Sequence, residues 1–259
     1  MSIEAKNVFF SYNEIPVLQD ICFSTNVGEM LCILGPNGVG KSTLFSCILG
    51  LLKPKSGEIL LDGCNIQKFS PRDLALRVAY VPQSHAPTFN YSVSDMVLMG
   101  TTAQVGGIQS PGQAEKKLAE DAMERAGITH LKDRGYMQIS GGERQLTLIA
   151  RALAQQAKIV IMDEPTANLD YGNQLRILVR IKDLVRNEKL TVIQSTHNPD
   201  HAFMFADRVL ALVGGCVAAV GTPSQAVTVD LIEKLYGIKV TLSKSEDGFT
   251  SCRPILDLS

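Results

Sequence analysis

Apolar positions along the 259-residue chain fall into short runs and alternations typical of strands, interleaved with stretches of helical spacing. Ile3 to Phe9 and Val17 to Thr25 alternate or run apolar as strands, and Asn26-Val27-Gly28-Glu29 turns the chain into a third, Met30 to Leu34. These early strands predict an antiparallel flank. Ser42 to Leu49 has helical spacing closed by Gly50, and Gly57 to Leu61 followed by Asp62-Gly63 reads as strand and turn. In Ser70-Pro71-Arg72-Asp73 a serine cap, a proline at the first position and an acid at the third announce a helix, and strand Val78 to Val81 follows it. Between roughly Val93 and Ala157 strand signals stop, while Gln113 to Ala126, closed by Gly127, and Gly141 to Gln155 are helical. Alternation then resumes with strand Ile159 to Met162, helix Tyr171 to Asn187, strand Thr191 to Gln194, and Val209 to Val213 hairpinned through Gly214-Gly215 to Cys216 to Val220. Closing helices are expected at Thr222-Pro223 and at Thr228 to Tyr236, capped by Gly237. The pattern predicts an α/β protein with a mixed, largely parallel central sheet, an N-terminal antiparallel β flank and an inserted α-helical subdomain. The expected boundaries are one domain over residues 1–240, with the helical insert at about 90–157, and a polar, loosely attached C-terminal extension over 241–259.

Composition narrows the class of function. A hydrophobic content of 45 % supports a sizeable core, and 25 basic against 26 acidic residues leave a net charge of −1, with no basic field for nucleic acid. Cys22, Cys32, Cys47, Cys64, Cys216 and Cys252 form no C-x-x-C pair, and several sit in apolar runs where a reduced thiol packs as a small hydrophobe, so a reducing cytoplasm is expected. The first residues lack the apolar stretch of a signal peptide, and nothing offers the roughly 18 apolar residues of a membrane span. Any membrane role is therefore expected to come through a partner.

The chemistry begins at Gly35-Pro36-Asn37-Gly38-Val39-Gly40-Lys41-Ser42-Thr43, which fits the phosphate-loop pattern G-x-x-x-x-G-K-[ST] between an apolar strand and a helix. In such a loop backbone N–H groups and the helix N-terminus cradle phosphates, Lys41 reaches the β and γ phosphates, and the Ser42 hydroxyl ligates Mg²⁺. The fold class is thus a P-loop NTPase core that binds a nucleoside triphosphate. Ile159 to Met162 runs into Asp163-Glu164, two acids with separate roles, Asp163 to hold Mg²⁺ directly or through water and Glu164 to polarise the attacking water as general base. Ser140-Gly141-Gly142-Glu143 opens the helix that runs through Arg151 and offers a second glycine-rich helix start for phosphate oxygens.

Taken in order, the phosphate loop, Gln83 in Tyr80-Val81-Pro82-Gln83, Ser140-Gly141-Gly142, Asp163-Glu164, Ala167-Asn168-Leu169-Asp170 and His197 resemble the ATP-binding cassette family over about residues 2–237. That resemblance implies an ATPase using ATP and Mg²⁺, and a head-to-tail homodimer in which the Ser140 turn of one chain closes over the ATP held by the phosphate loop of the other. It also implies that Tyr12 stacks on adenine, Gln83 touches Mg²⁺ and senses the partner, Asp170 organises the dimer interface, and His197 hydrogen-bonds the γ phosphate. Each has a plainer alternative, since a tyrosine at a strand end often only packs and a lone histidine often makes a structural hydrogen bond. His197 and His201, four apart, could mimic a metal pair on one helical face, but no third ligand lies nearby and metal is discounted there.

Three departures stand out. Glu143 replaces the family's usual Gln, with Gln145 two residues on; Ile139 replaces Leu; and Asn198-Pro199 follows His197 in place of an acid and Leu. The first is expected to alter helix-start electrostatics more than competence, and the last to shift the following helix start without removing the histidine. The stretch from Ser84 to Gly100, above all Tyr91-Ser92-Val93 and Asp95-Met96-Val97-Leu98-Met99-Gly100, resembles that of ATPase subunits of importers for iron-siderophore, haem, cobalamin and related metal chelates or oxyanions. It reads as a docking groove, or as residues packing the insert onto the sheet. The importer resemblance implies polytopic membrane permease subunits, a substrate-binding protein, no nucleic acid, and a cytoplasmic, peripheral position on the inner face of the cell membrane. The alternative is a soluble cassette ATPase such as that of iron-sulfur cluster assembly; repair or translation cassettes commonly carry two cassettes or a long coiled insert, and an exporter often carries a fused membrane region.

Overall fold

A computed structural model describes residues 1–85, 88–105, 110–246 and 248–255. Ala86 and Pro87 of the Ser84 to Gly100 stretch, and Asp247 and residues 256–259 of the expected extension, lie outside the described residues. In chain order the elements are β1 (Ile3–Tyr12), β2 (Ile15–Ser24), β3 (Met30–Leu34), α1 (Lys41–Ile48), β4 (Ser56–Leu61), β5 (Cys64–Asn65), α2 (Pro71–Ala75), β6 (Val78–Val81), α3 (Val93–Leu98), α4 (Gln113–Ala126) and α5 (Gly141–Ala154). There follow β7 (Ile159–Met162), α6 (Tyr171–Glu188), β8 (Thr191–Thr196), α7 (Pro199–Phe205), β9 (Arg208–Val213), β10 (Cys216–Gly221), α8 (Pro223–Ala226), α9 (Val229–Tyr236), β11 (Val240–Lys244) and β12 (Thr250–Pro254). The chain divides into two compact units, residues 1–68 with 191–259, and residues 69–190.

In the first unit β2, β1, β4 and β5 form an antiparallel sheet, the expected flank. Its first hairpin is longer than its apolar pattern suggested, because Asn13 adopts φ 52° and lets the chain reverse directly after Tyr12. A second sheet carries β9, β3 and β8 in parallel, with β10 antiparallel on β9. Met30 to Leu34 and Thr191 to Thr196 are buried at every position, as strands covered on both faces must be. Cys32, Leu34, Val209, Ala211, Leu231 and Ile232 belong to one core cluster, into which Val240 is also buried.

The polar tail expected after residue 240 is partly ordered. Val240 and Leu242 alternate with polar residues and pair with Pro254 and Cys252 across the β11–β12 hairpin, and Cys252 packs against the core cluster. A hairpin of this composition holds because α7 and α9 offer it an apolar bed.

In the second unit β6 and β7 pair in parallel, with Val81 opposite Met162. Helices α2 to α6 make up most of the rest, and α3 is a helix that the spacing did not announce; Ser92 caps it by accepting the N–H of Asp95 at 3.0 Å. The amphipathic faces of α4 and α5 are buried along Ala119, Ala122, Met123 and Ala126, and along Leu148, Ile149, Ala152 and Leu153. Together the mixed sheets, the antiparallel N-terminal sheet and the helices constitute the P-loop NTPase fold expected from the strand-helix alternation.

Candidate active site

The phosphate loop is built by its neighbours in the first unit. Buried β3 delivers the chain to Gly35, whose N–H donates to the Thr196 carbonyl at 3.3 Å, so the loop and the His197 segment leave adjacent strands at the same end. Gly40 at φ 110° takes a backbone conformation closed to most side chains, and a Cβ there would lie 3.0 Å from Leu18 and 3.1 Å from the Val17 carbonyl of β2. Gly40 is also the N-cap of α1, which has no side-chain cap and no acid in its first turn. The first N–H groups of such a helix have no intrahelical partner, and the dipole favours an anion there. Lys41 is buried, and its Nζ donates to the carbonyls of Gly35 at 2.8 Å and Pro36 at 3.0 Å, which folds the cation back over the loop. Ser42 is exposed beside it and Thr43 half-buried. Burial pushes the Cys32 thiol on β3 up to about 12, against the opposing pull of a Gln194 hydrogen bond and the Lys41 charge, which marks it as an inert packing group.

Tyr12 ends β1, 51 % exposed, with its ring edge-on to Phe10 at 5.0 Å, so an open aromatic surface stands at the tip of the β1–β2 hairpin. His197 is exposed and lies one residue past β8. It is not on the helix that carries His201: Asn198 caps α7 by accepting the Asp200 N–H at 2.9 Å, and Pro199 takes the first position. The notion of a histidine pair on one helical face is thereby corrected, because the N-cap separates the two residues. The unusual Asn198-Pro199 pair is a regular helix start.

In the second unit β6 and β7 end together. The Asp163 N–H donates to the Val81 carbonyl at 2.9 Å, which brings the segment leading to Gln83 beside the two acids. Gln83 is exposed, whereas Asp163 and Glu164 are 7 % and 8 % exposed. Glu164 has φ 43°, a left-handed conformation that costs a non-glycine residue on the order of 1 to 3 kcal/mol and persists only where the surroundings impose it. Strain of this kind clusters where a side chain must be aimed. Burial raises the pKa of Tyr80 on β6 above its ordinary value, and the Asp163 charge adds to that.

The second glycine-rich helix start is satisfied internally. Ser140 caps α5 by accepting the Glu143 N–H at 3.3 Å, and a Glu143 carboxylate oxygen accepts both the Ser140 N–H and the Ser140 hydroxyl at 2.7 Å. This is a complete capping box, and these bonds with Ser140 hold the Glu143 carboxyl below its usual range. The departure at position 143 is therefore the closing member of the cap. Gln145 does not stand in for the family's glutamine, since it is buried at 6 % exposure. Gly142 and Gly141 allow close approach from the neighbouring segment: a Cβ on Gly142 would sit 3.2 Å from Asn173, and one on Gly141 3.2 Å from Leu169. Asn173 in turn donates through its backbone N–H (2.9 Å) and side-chain amide (2.6 Å) to Asp170, the N-cap of α6, and these bonds keep the Asp170 carboxyl below its ordinary value. Sequence reasoning named Asp170 and Gly142 but missed Asn173, the residue that joins them.

The buried strand, the phosphate loop and a helix start without a side-chain cap together define the class: a P-loop nucleoside triphosphatase. The family model described as ABC transporter matches residues 18–167. An ABC transporter ATP-binding protein of Haemophilus influenzae is 41 % identical over 236 residues, covering 91 % of this chain and 89 % of that one. The hemin import ATP-binding protein HmuV of Bordetella pertussis is 34 % identical over 247 residues, covering 92 % and 93 %. A solved inward-facing metal-chelate type ABC transporter superposes with a TM-score of 0.88 at 30 % identity, covering 99 % of this chain and 98 % of that one. The chain belongs to the ABC transporter family, and it is an ATP-binding, ATP-hydrolysing subunit of that family. Among the described residues no helix is long and apolar enough to cross a membrane.

Proposed function

We propose that this ATPase works as a homodimer on polytopic permease subunits, with a substrate-binding protein, to import a metal chelate such as haem or an iron-siderophore. The observation that supports this most is the likeness to a metal-chelate type transporter along nearly the whole chain, and the hemin import relative points the same way. The protein would sit peripherally on the inner face of the cell membrane, as one cassette of residues 1–240, with the helical insert at about 90–157 and an extension over 241–259. Phe89 (66 % exposed) and Tyr91 (37 %) stack edge-on at 6.1 Å and offer an aromatic surface for a permease helix.

In this reading the bare start of α1 receives the triphosphate, Lys41 neutralises it, and Tyr12 stacks on the base. The turn at Ser140 to Gly142 is supplied to the nucleotide of the partner chain, and the Asp170–Asn173 pair fixes its shape. Glu164 is the general base that orients and deprotonates the attacking water, aimed by its left-handed backbone, and His197 donates to the γ phosphate. Gln83 reports nucleotide state to the permease. A hydroxyl at Ser42, a strand-end carboxylate at Asp163 and the amide oxygen of Gln83 are the hard oxygen donors that Mg²⁺ prefers. When bound, the ion would neutralise phosphate charge. ATP binding closes the dimer and drives the permease; hydrolysis resets it.

The test is reconstitution with the permease in vesicles, following chelate uptake against ATP turnover. Glu164→Gln is expected to keep ATP binding and lose turnover about 10²- to 10⁴-fold, the usual worth of a general base. Near-normal hydrolysis in that variant would remove Glu164 from this role, and ATP turnover that ignores the permease would favour the soluble alternative.

A further inference from the structure

The segment His197 to His201 is held from two sides by the C-terminal part of the chain. Tyr236, the last residue of α9, donates its phenol hydroxyl to the carbonyl of His197 at 2.7 Å, across 39 residues of sequence. Asp200 accepts the backbone N–H of Cys252 on β12 at 2.7 Å, across 52 residues. Inside the segment the bonds are short-range: Thr196 Oγ1 accepts the Asn198 N–H at 3.1 Å, and Asn198 Oδ1 accepts the Asp200 N–H at 2.9 Å. Those local bonds shape the turn but do not fix where it points. The two long-range bonds do, because their donors are anchored elsewhere. Tyr236 and Cys252 both pack on the cluster that contains Cys32 and Leu34 of β3, the strand that enters the phosphate loop, together with Val209, Leu231, Ile232 and Leu235. The same apolar core therefore carries the strand before the phosphate loop and the hydroxyl that pins the peptide of His197.

We propose that Tyr236 is a positioning residue for His197, and that β12, through Asp200, is a second point of the same clamp. The proposal rests on the assignment of His197 to the γ phosphate. A phenol suits this role because its ring is fixed by half-burial against the core, so its hydroxyl can hold a carbonyl in place at little entropic cost. The peptide it holds carries an exposed imidazole, so a displaced backbone displaces the imidazole with it. Small misplacements at a reacting phosphate weaken transition-state contacts more than ground-state ones, so losing the clamp should appear in kcat and little in KM.

The experiment uses the full-length chain and steady-state ATP hydrolysis. Tyr236→Phe keeps the ring and removes only the hydroxyl; the expected result is a kcat lowered about threefold to tenfold, the worth of one hydrogen bond, with KM for ATP and the melting temperature nearly unchanged. In a His197→Ala background the same substitution should cause no further loss. Asp200→Ala should give a smaller loss that Asp200→Asn, which keeps an acceptor oxygen, restores. Unchanged kcat in Tyr236→Phe beside an impaired His197→Ala overturns this inference alone. An equal loss in both backgrounds overturns it too, by showing a general structural effect. Normal hydrolysis in His197→Ala would remove the assignment of His197 and the clamp with it.

Discussion

Two helices in this protein begin at glycine-rich turns, and their termini are finished in opposite ways. Helix α1 starts at Gly40 with no side-chain cap and no acid, whereas α5 starts at Ser140 inside a capping box closed by Glu143. The first has no acid in its first turn, which suits a ligand that brings its own negative charge. The second already has a carboxylate at its N-terminus, and Ser140 spends its hydroxyl on that carboxylate. By its physics the α1 turn favours an anion, while the α5 turn is a preformed surface whose Ser140 hydroxyl already has an internal acceptor. In the proposed dimer the first would bind nucleotide within its own chain, and the second would meet the nucleotide held by a partner.

Removing the cation from the open terminus should have the largest effect. Lys41→Ala is expected to abolish measurable ATP binding by calorimetry, since two loop carbonyls lose their charged partner and the triphosphate loses its counter-charge. Binding at native strength would show that the bare helix start suffices alone. Opening the closed terminus should do less. Glu143→Ala removes the reciprocal half of the capping box but keeps the bond from the backbone N–H of position 143 to Ser140, so a denaturant titration should show a loss below the roughly 0.5–2 kcal/mol of a lost N-cap residue, while ATP affinity of the single chain stays unchanged. A large drop in affinity would mean that the two termini are not as different as their caps suggest. The smallest effect concerns pH. The Glu143 carboxyl has a lower pKa folded than unfolded, so its contribution to stability is present above the ordinary carboxylate value and is lost as pH falls through the depressed one. Between about pH 5 and 3 the Glu143→Ala protein should therefore lose less stability than the parent, and parallel curves would contradict the shift.

The elements legible in the sequence were those whose signal is local. Met30 to Leu34, Val78 to Val81 and Ile159 to Met162 form strands at the residues where apolar runs meet turn residues, and Ser70, Gly127 and Gly237 cap helices as their positions implied. What escaped depends on residues far apart. The β11–β12 hairpin brings Val240 and Cys252 to the core cluster, and it holds by packing on α7 and α9, which no window of sequence contains. Tyr12 remained outside the predicted strand because the turn after it uses Asn13 where a glycine would have been a plain signal. Among candidate site residues the phosphate loop, Asp163-Glu164 and the Ser140 turn announce themselves by pattern. Asn173 and Tyr236 do not, since a side chain that holds another residue leaves no motif. The left-handed backbone of Glu164 is equally silent, because nothing in Asp163-Glu164-Pro165 requires it.

In the proposed dimer, the α1 terminus of one chain and the capped α5 terminus of another complete a single hydrolytic site. This sharing is tested most directly by mixing two inactive variants, Lys41→Ala, which spoils the phosphate loop, and Ser140→Arg, which blocks the turn at α5. If the site is shared, a mixed dimer holds one site with both defects and one with neither, and the mixture hydrolyses ATP although each variant alone does not. If both turns served the nucleotide of their own chain, every site in the mixture would carry a defect, and a mixture as inactive as its components would contradict the account.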